Sequence, residues 1–284
     1  MENDFLNGFQ EYLEKENKSM NTIKGYILNL KGYFKWFKDS FGMELSILHR
    51  QNIIDYKNYL INVKKLNSKT VNNKISALRK FNEFLQEMGV QKELVIDDKD
   101  MIKIQLEYAS PTNVTESEVK RFMQKVLETN NNRNYALVIL LAYTGLRISE
   151  ALNLKMNEFN LITRECIVKS GKNNKQRTVI LNSKVITALT EYLKERKNSN
   201  FISEYLFISN RNEKLSRITI NQLFNSLSSK ITPHTLRHFF CTNAIEKGMS
   251  IHEVAFLAGH SNIHTTLLYT NPDKQKIIDK LDLL

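Results

Sequence analysis

Ile23-Lys-Gly-Tyr-Ile-Leu-Asn-Leu-Lys-Gly-Tyr-Phe-Lys-Trp-Phe-Lys-Asp-Ser-Phe41 sets apolar residues at Ile23, Ile27, Leu30, Phe34, Phe37 and Phe41, in alternating steps of four and three. This is the period of one side of an α-helix. The chain's prolines stand at 111, 233 and 272, so none interrupts helix ahead of Pro111. Working outward, Val71, Ile75, Leu78, Leu85 and Met88 continue the pattern in a second segment. With Phe5–Leu13 and Ile53–Val63 they predict four helices, joined by turns near Asn17–Ser19, Gly42 and Asn67–Ser68. The apolar stripes read as the core of a helical bundle.

The side of the fourth helix opposite its stripe carries Lys69, Asn73, Ser76 and Lys80, with Arg79 beside them. Short polar and cationic groups suit phosphates and base edges, which makes this the predicted groove-reading face. Between Asp55 and Glu83 there are seven cations and no acid; a solvated helical face accounts for that charge equally well. From about Gln91 the period lapses, and the segment ending IDDKDMIKIQLEYASPTN reads as a linker. The predicted division is a first domain over 1–96, a linker over 97–113 and a second domain over 114–284.

Thr115-Glu-Ser-Glu118 is a capping box, which opens the first helix of that second domain. The domain reads as mostly helical with one interruption. Cys166-Ile-Val168 and Thr178-Val-Ile-Leu181 are β-prone and flank the turn residues Gly171-Lys-Asn-Asn174, so a hairpin with Lys172 at its tip is expected. The predicted fold class is therefore mainly α, a four-helix bundle followed by a mostly helical domain with a small β-hairpin.

Composition narrows the function. A chain of 284 residues with 42% hydrophobic and 25% charged residues has the balance of a folded soluble protein. No apolar run approaches the ~18 residues of a membrane span, so no membrane partner is expected. The acidic, amphipathic start MENDFLNGFQEYLEKEN lacks the features of an export signal, and a cytoplasmic location is expected. Cys166 and Cys241 are too few for a disulfide framework and are expected as thiols. The net charge of +11 favours a polyanionic partner.

The residues with chemical content concentrate in Thr144-Gly-Leu-Arg-Ile-Ser-Glu150, the hairpin at Lys172, His234-Thr-Leu-Arg-His238, and Gly259-His260 followed by Tyr269. In that order and spacing they resemble the tyrosine recombinase (integrase) family, and EYLEKENKSMNTIKGYILNLKGYFKWF resembles its N-terminal core-binding domain. The chemistry explains the residue types. A phosphodiester under attack gains negative charge on its non-bridging oxygens, and fixed guanidinium groups stabilise that charge without reorganising. His234 and Arg237 stand three apart after Pro233 and share a helix face. His234, His238 and Cys241 could also be read as metal ligands, although Arg237 would crowd an ion there.

The resemblance implies a phosphate clamp of Arg147 and Arg237, with His234 in proton transfer towards the nucleophile and His260 giving a supporting hydrogen bond. It implies Tyr269 as the nucleophile, and the matching hairpin lysine, Lys172, as the general acid for the leaving 5′ oxygen. Lys169 and Lys175 are neighbours that could be confused with Lys172, and the family's Gly-Lys-Gly is here Gly171-Lys-Asn-Asn. The implied reaction passes through a 3′-phosphotyrosyl bond and a four-way junction with no cofactor. The implied partners are double-stranded DNA with an inverted-repeat core site and three further copies of the chain, a homotetramer on two DNA sites joined through the amphipathic tail Lys274–Leu284. No additional arm-binding domain is expected ahead of the core-binding one, as in compact Xer-type members. That favours resolution of DNA dimers or transposon cointegrates over integration and excision by a mobile element. A type IB topoisomerase and a DNA-binding protein without catalysis are the readings from outside this class.

Overall fold

The computed structural model describes residues 2–103, 114–169, 176–199, 202–260 and 264–267. The chain divides into two compact units, Met1–Leu106 and Glu107–Leu284. The first is built from α1 (Glu2–Lys15), α2 (Met20–Phe41), α3 (Arg50–Asn58), which runs on into a wider turn at Tyr59–Val63, and α4 (Ser68–Glu87).

The helix ends fall where the sequence supplies caps. The Ser19 hydroxyl accepts from the Thr22 N–H at 3.2 Å and the Asn67 side-chain oxygen Oδ1 from the Thr70 N–H at 2.8 Å, each satisfying a donor that the first turn leaves open. Gly42 ends α2 at φ +70°, a conformation that costs glycine little. Inside, Ile23, Leu30, Phe34 and Phe37 of α2 meet Val71, Ile75, Leu78, Phe81 and Leu85 of α4 in one core. Phe9 of α1 packs edge-on against Phe81, ring centres 5.4 Å apart. Phe41 and Met88, the last members of the two stripes, stay largely exposed.

Part of the expected linker folds back onto this unit. Asp97 and Asp100 cap a single turn at Asp98–Asp100. Asp100 pairs with Arg50 at 2.5 Å, and Asn72 bonds both the N–H (2.8 Å) and the carbonyl (2.9 Å) of Ile102. The rest of the expected linker lies outside the described residues.

In the second unit, Thr115 and Glu118 form the predicted capping box and open α5 (Glu116–Glu128). There follow α6 (Asn132–Thr144), α7 (Ile148–Asn153), strands β1 (Phe159–Asn160), β2 (Glu165–Lys169) and β3 (Gln176–Ile180), then α8 (Ser183–Asn198), α9 (Arg217–Leu227), α10 (Pro233–Glu246), α11 (Ile251–Ala258) and α12 (His264–Leu267). Every residue of α6 from Ala136 to Ala142 is buried, and such a helix must sit at the centre; α5, α8 and α10 pack around it. The strands form an antiparallel sheet in the order β1-β2-β3, with Cys166 opposite Val179 and Val168 opposite Arg177. Cys166, Val168 and Val179 face the core, while Ile167 and Ile180 face out. The hairpin strands were legible in advance; β1, two residues long, was not.

Candidate active site

The site begins where α6 stops. Gly145 takes φ +65°, and a side chain there would collide with the ring of Phe240, so glycine is required for both conformation and space. Leu146 is buried and anchors the turn, which leaves Arg147 at the N-cap of α7. A cation is disfavoured at a helix N-terminus, and here Glu150 compensates. Its carboxylate accepts from the Arg147 backbone N–H at 2.8 Å and from Nη1 at 3.0 Å. Nη2 of Arg147 donates to the Gly259 carbonyl at 3.2 Å, and its side chain remains 45% exposed.

Pro233 occupies the first turn of α10, with Thr232 as its cap. One turn of helix then separates an exposed His234 from a buried Arg237. Nη1 of Arg237 donates to the Gly145 carbonyl at 2.5 Å and the Ala258 carbonyl at 2.7 Å. Arg147 and Arg237 therefore grip consecutive carbonyls, Gly259 and Ala258, at the negative end of α11.

His260 follows directly, its Nδ1 2.8 Å from the Thr266 hydroxyl. Burial and then the nearby charges of Arg237, Arg147 and Arg177 push the His260 pKa down to about 4, so the ring is neutral at pH 7 and can donate one N–H. His238 is likewise lowered to about 4 by burial, His234 and Arg237. Its Nε2 lies 2.7 Å from that of His234, so a single hydrogen bond joins the two rings, its direction set by their tautomers.

Arg147, His234, Arg237 and His260 line one open cleft of about 520 Å³. Arg217 and Asn221, one turn apart on α9, line it as well. Sequence reasoning missed both, although an arginine in the first turn of a helix, against the dipole, was a readable sign of an anionic partner. It also quoted Glu150 without a role and overlooked Arg177, whose fork holds Glu150 from β3 at 2.9 and 3.0 Å. Burial alone would raise the Glu150 pKa, but Arg177, the Arg147 N–H and both guanidinium charges draw it below the ordinary value. Lys172 and Tyr269 lie outside the described residues, as does the tail Lys274–Leu284. Lys169 is paired with Glu158 at 2.7 Å.

On α4, Lys69 and Asn73 are exposed. Lys80 is held by Glu16 at 2.5 Å and Glu83 at 2.7 Å, Arg79 pairs with Asp98, and the Ser76 hydroxyl faces the Met101 sulfur at 3.9 Å. Among the described residues no group of three or more His, Cys, Asp or Glu is arranged to hold a metal ion. Cys241 is fully buried, and burial pushes its thiol up to about 11.

Residues 112–276 match the phage integrase family, and residues 5–91 match the N-terminal SAM-like domain of phage integrases. The TnP I resolvase of Bacillus thuringiensis is 58% identical over 99% of this chain and 100% of its own length. The tyrosine recombinase XerA of Pyrococcus horikoshii is 32% identical over 94% of this chain and 88% of that protein. Among solved structures, a XerA recombinase superposes with a TM-score of 0.54 at 28% identity, covering 99% of this chain and 98% of that one. The Tn1549 transposon integrase, solved with a circular intermediate DNA, gives 0.75 at 18% identity over 99% of each chain and shares the fold.

Proposed function

The chain belongs to the phage integrase family of tyrosine recombinases, and from that premise we propose that it resolves DNA by strand exchange through a covalent bond between Tyr269 and a scissile phosphate. The observation that carries the reading is the meeting of Arg147, His234, Arg237 and His260, from separate segments of the second unit, in one open cleft. Two guanidinium groups and two imidazoles suit a phosphodiester whose oxygens gain charge during attack.

In the proposed step, the Tyr269 oxygen bonds to phosphorus as the phosphorus–O5′ bond breaks. The phenol, with an ordinary pKa of about 10, passes its proton to a neighbouring base, for which His234 is the choice. Lys172 gives a proton to the departing 5′ oxygen. Arg147 and Arg237 hold the non-bridging oxygens, and neutral His260 adds one donor. The freed 5′-hydroxyl attacks the phosphotyrosine of a partner strand, and phosphoester bonds are exchanged without hydrolysis. Two such exchanges pass through a four-way junction.

The first unit is assigned as the core-binding domain and the second as the catalytic domain, acting together on duplex DNA. On α4, exposed Lys69 and Asn73 are the better-placed groove contacts, while Ser76, Arg79 and Lys80 are proposed to contact DNA only after exchanging their present partners. Four protomers would assemble on two inverted-repeat sites, each sending its amphipathic tail Lys274–Leu284 to a neighbour. An open groove of about 460 Å³ on the second unit, with Phe239, Phe240, Met249 and Leu257 in its wall, supports a landing place for such a tail. No helix among the described residues is long and apolar enough to cross a membrane, which fits the proposed cytoplasmic location.

The 58% likeness to a resolvase over the whole chain favours resolution over integration. The test first locates inverted repeats beside the gene and maps cleavage there, then places two copies of that site in direct orientation on one plasmid. Deletion of the intervening DNA without metal or nucleotide is expected. Relaxation of supercoils with no deletion would point to a topoisomerase instead.

A further inference from the structure

Resting on the recombinase reading, we infer that Arg177 is a positioning residue for the phosphate clamp, keeping the charge of Arg147 available to the DNA. Glu150 is buried between two guanidinium groups. Arg177 takes it with a two-pronged fork, Nη1 to Oε1 at 3.0 Å and Nη2 to Oε2 at 2.9 Å. Arg147 shares the same Oε1 at 3.0 Å and gives its backbone N–H to Oε2 at 2.8 Å.

One carboxylate between two arginines leaves a net positive charge, and the exposed arginine is the one facing the cleft. Without Arg177, Glu150 would have Arg147 as its neutralising partner. Arg147 would then be drawn onto the carboxylate with both prongs and turned from the phosphate.

Two further contacts fit this role. Nε of Arg177 donates to the Leu257 carbonyl at 3.0 Å, and its side chain is only 10% exposed. The backbone of Gly259 lies so close that a Cβ there would stand 2.6 Å from the Arg177 guanidinium carbon. That same glycine accepts from Arg147 at 3.2 Å. Arg177 thus braces, from strand β3, both acceptors that orient Arg147. A planar fork is needed for this, and lysine would keep the charge but lose the geometry.

The test compares wild type, Arg177→Gln and Arg177→Lys on a nicked duplex carrying the mapped inverted-repeat site. Single-turnover formation of the covalent adduct and DNA affinity are read separately. Adduct formation is expected to fall about 100-fold in Arg177→Gln, the scale of losing one preorganised donor, with affinity within a few-fold of wild type. Arg177→Lys should show the same pattern to a smaller degree, and it carries the test if Arg177→Gln loses its circular-dichroism spectrum. A second substrate has an uncharged methylphosphonate at the scissile position, where there is less charge to clamp. There the gap from wild type should shrink to a few-fold.

An equal deficit on both substrates, full activity on the ordinary phosphodiester, or loss of binding would each overturn the inference. So would rescue only by a sulfur leaving group at the 5′ position, which would point to the lysine acid. A wild-type protein that forms no adduct on either substrate overturns the recombinase reading, and this inference with it.

Discussion

In the proposed clamp, Arg237 is a cation made ready before its ligand arrives. Its Nη1 is committed to two backbone carbonyls, those of Gly145 and Ala258, at 2.5 and 2.7 Å. Those bonds fix the guanidinium plane beside the cleft. Arg237→Lys cannot hold two carbonyls and present a flat fork together. Adduct formation should fall about 100- to 1,000-fold with DNA affinity little changed, measured in single-turnover cleavage; a variant within threefold of wild type would refute the clamp. The histidines make a separate prediction. His238 and His260 are held neutral in the folded protein, both lowered from 6.5 to about 4. Between those values the unfolded chain binds protons that the folded chain refuses, so stability is complete above pH 6.5 and falls as the pH drops towards 4. The thermal midpoint should decline from pH 6.5 to 5, and His238→Gln should flatten that decline; an unchanged slope would show that burial of this ring is not what is titrating. Most of these residues were legible in the sequence because the chemistry demands unusual types in unusual places, as with Arg147 after Gly145. Glu150 and Arg177 were not, because a salt bridge across 27 positions leaves no local pattern.

At the scale of elements, the helices announced themselves through period and caps, since α2 and α4 each bury one continuous stripe. What period could not reveal was long-range pairing. Asp98 and Glu16 neutralise Arg79 and Lys80 from other parts of the chain, so the cationic face of α4 is less cationic than its own sequence implies. The segment at 97–103 was hard to read because short-range caps and two bonds from Asn72, rather than an apolar stripe, hold it. One polar group in the bundle has no such compensation. The Tyr33 hydroxyl is buried with no hydrogen-bond partner among the described residues, although its ring packs edge-on against Tyr56 at 5.0 Å. Tyr33→Phe keeps the ring and removes the unsatisfied group, so stability should rise by about 1 kcal/mol. Urea denaturation measures this, and destabilisation would mean that the hydroxyl has a partner in solution.

For the whole molecule, the two units answer different parts of one task. The second is proposed to hold the phosphate chemistry, and the first the face that reads the groove. Deleting the residues after Asp273 should impair synapsis of two sites far more than occupancy of one, as native gels with single- and paired-site DNA would show; equal loss at both stages would argue against exchange of the tail. The central claim is that Tyr269 takes up the phosphate that Arg147, His234, Arg237 and His260 surround. Its most direct test is peptide mapping by mass spectrometry of protein trapped on a nicked duplex of the mapped site. Attachment of the DNA 3′ phosphate at Tyr269, lost in Tyr269→Phe while DNA binding persists, is the predicted result; an adduct that survives that substitution, or maps to another residue, would contradict it.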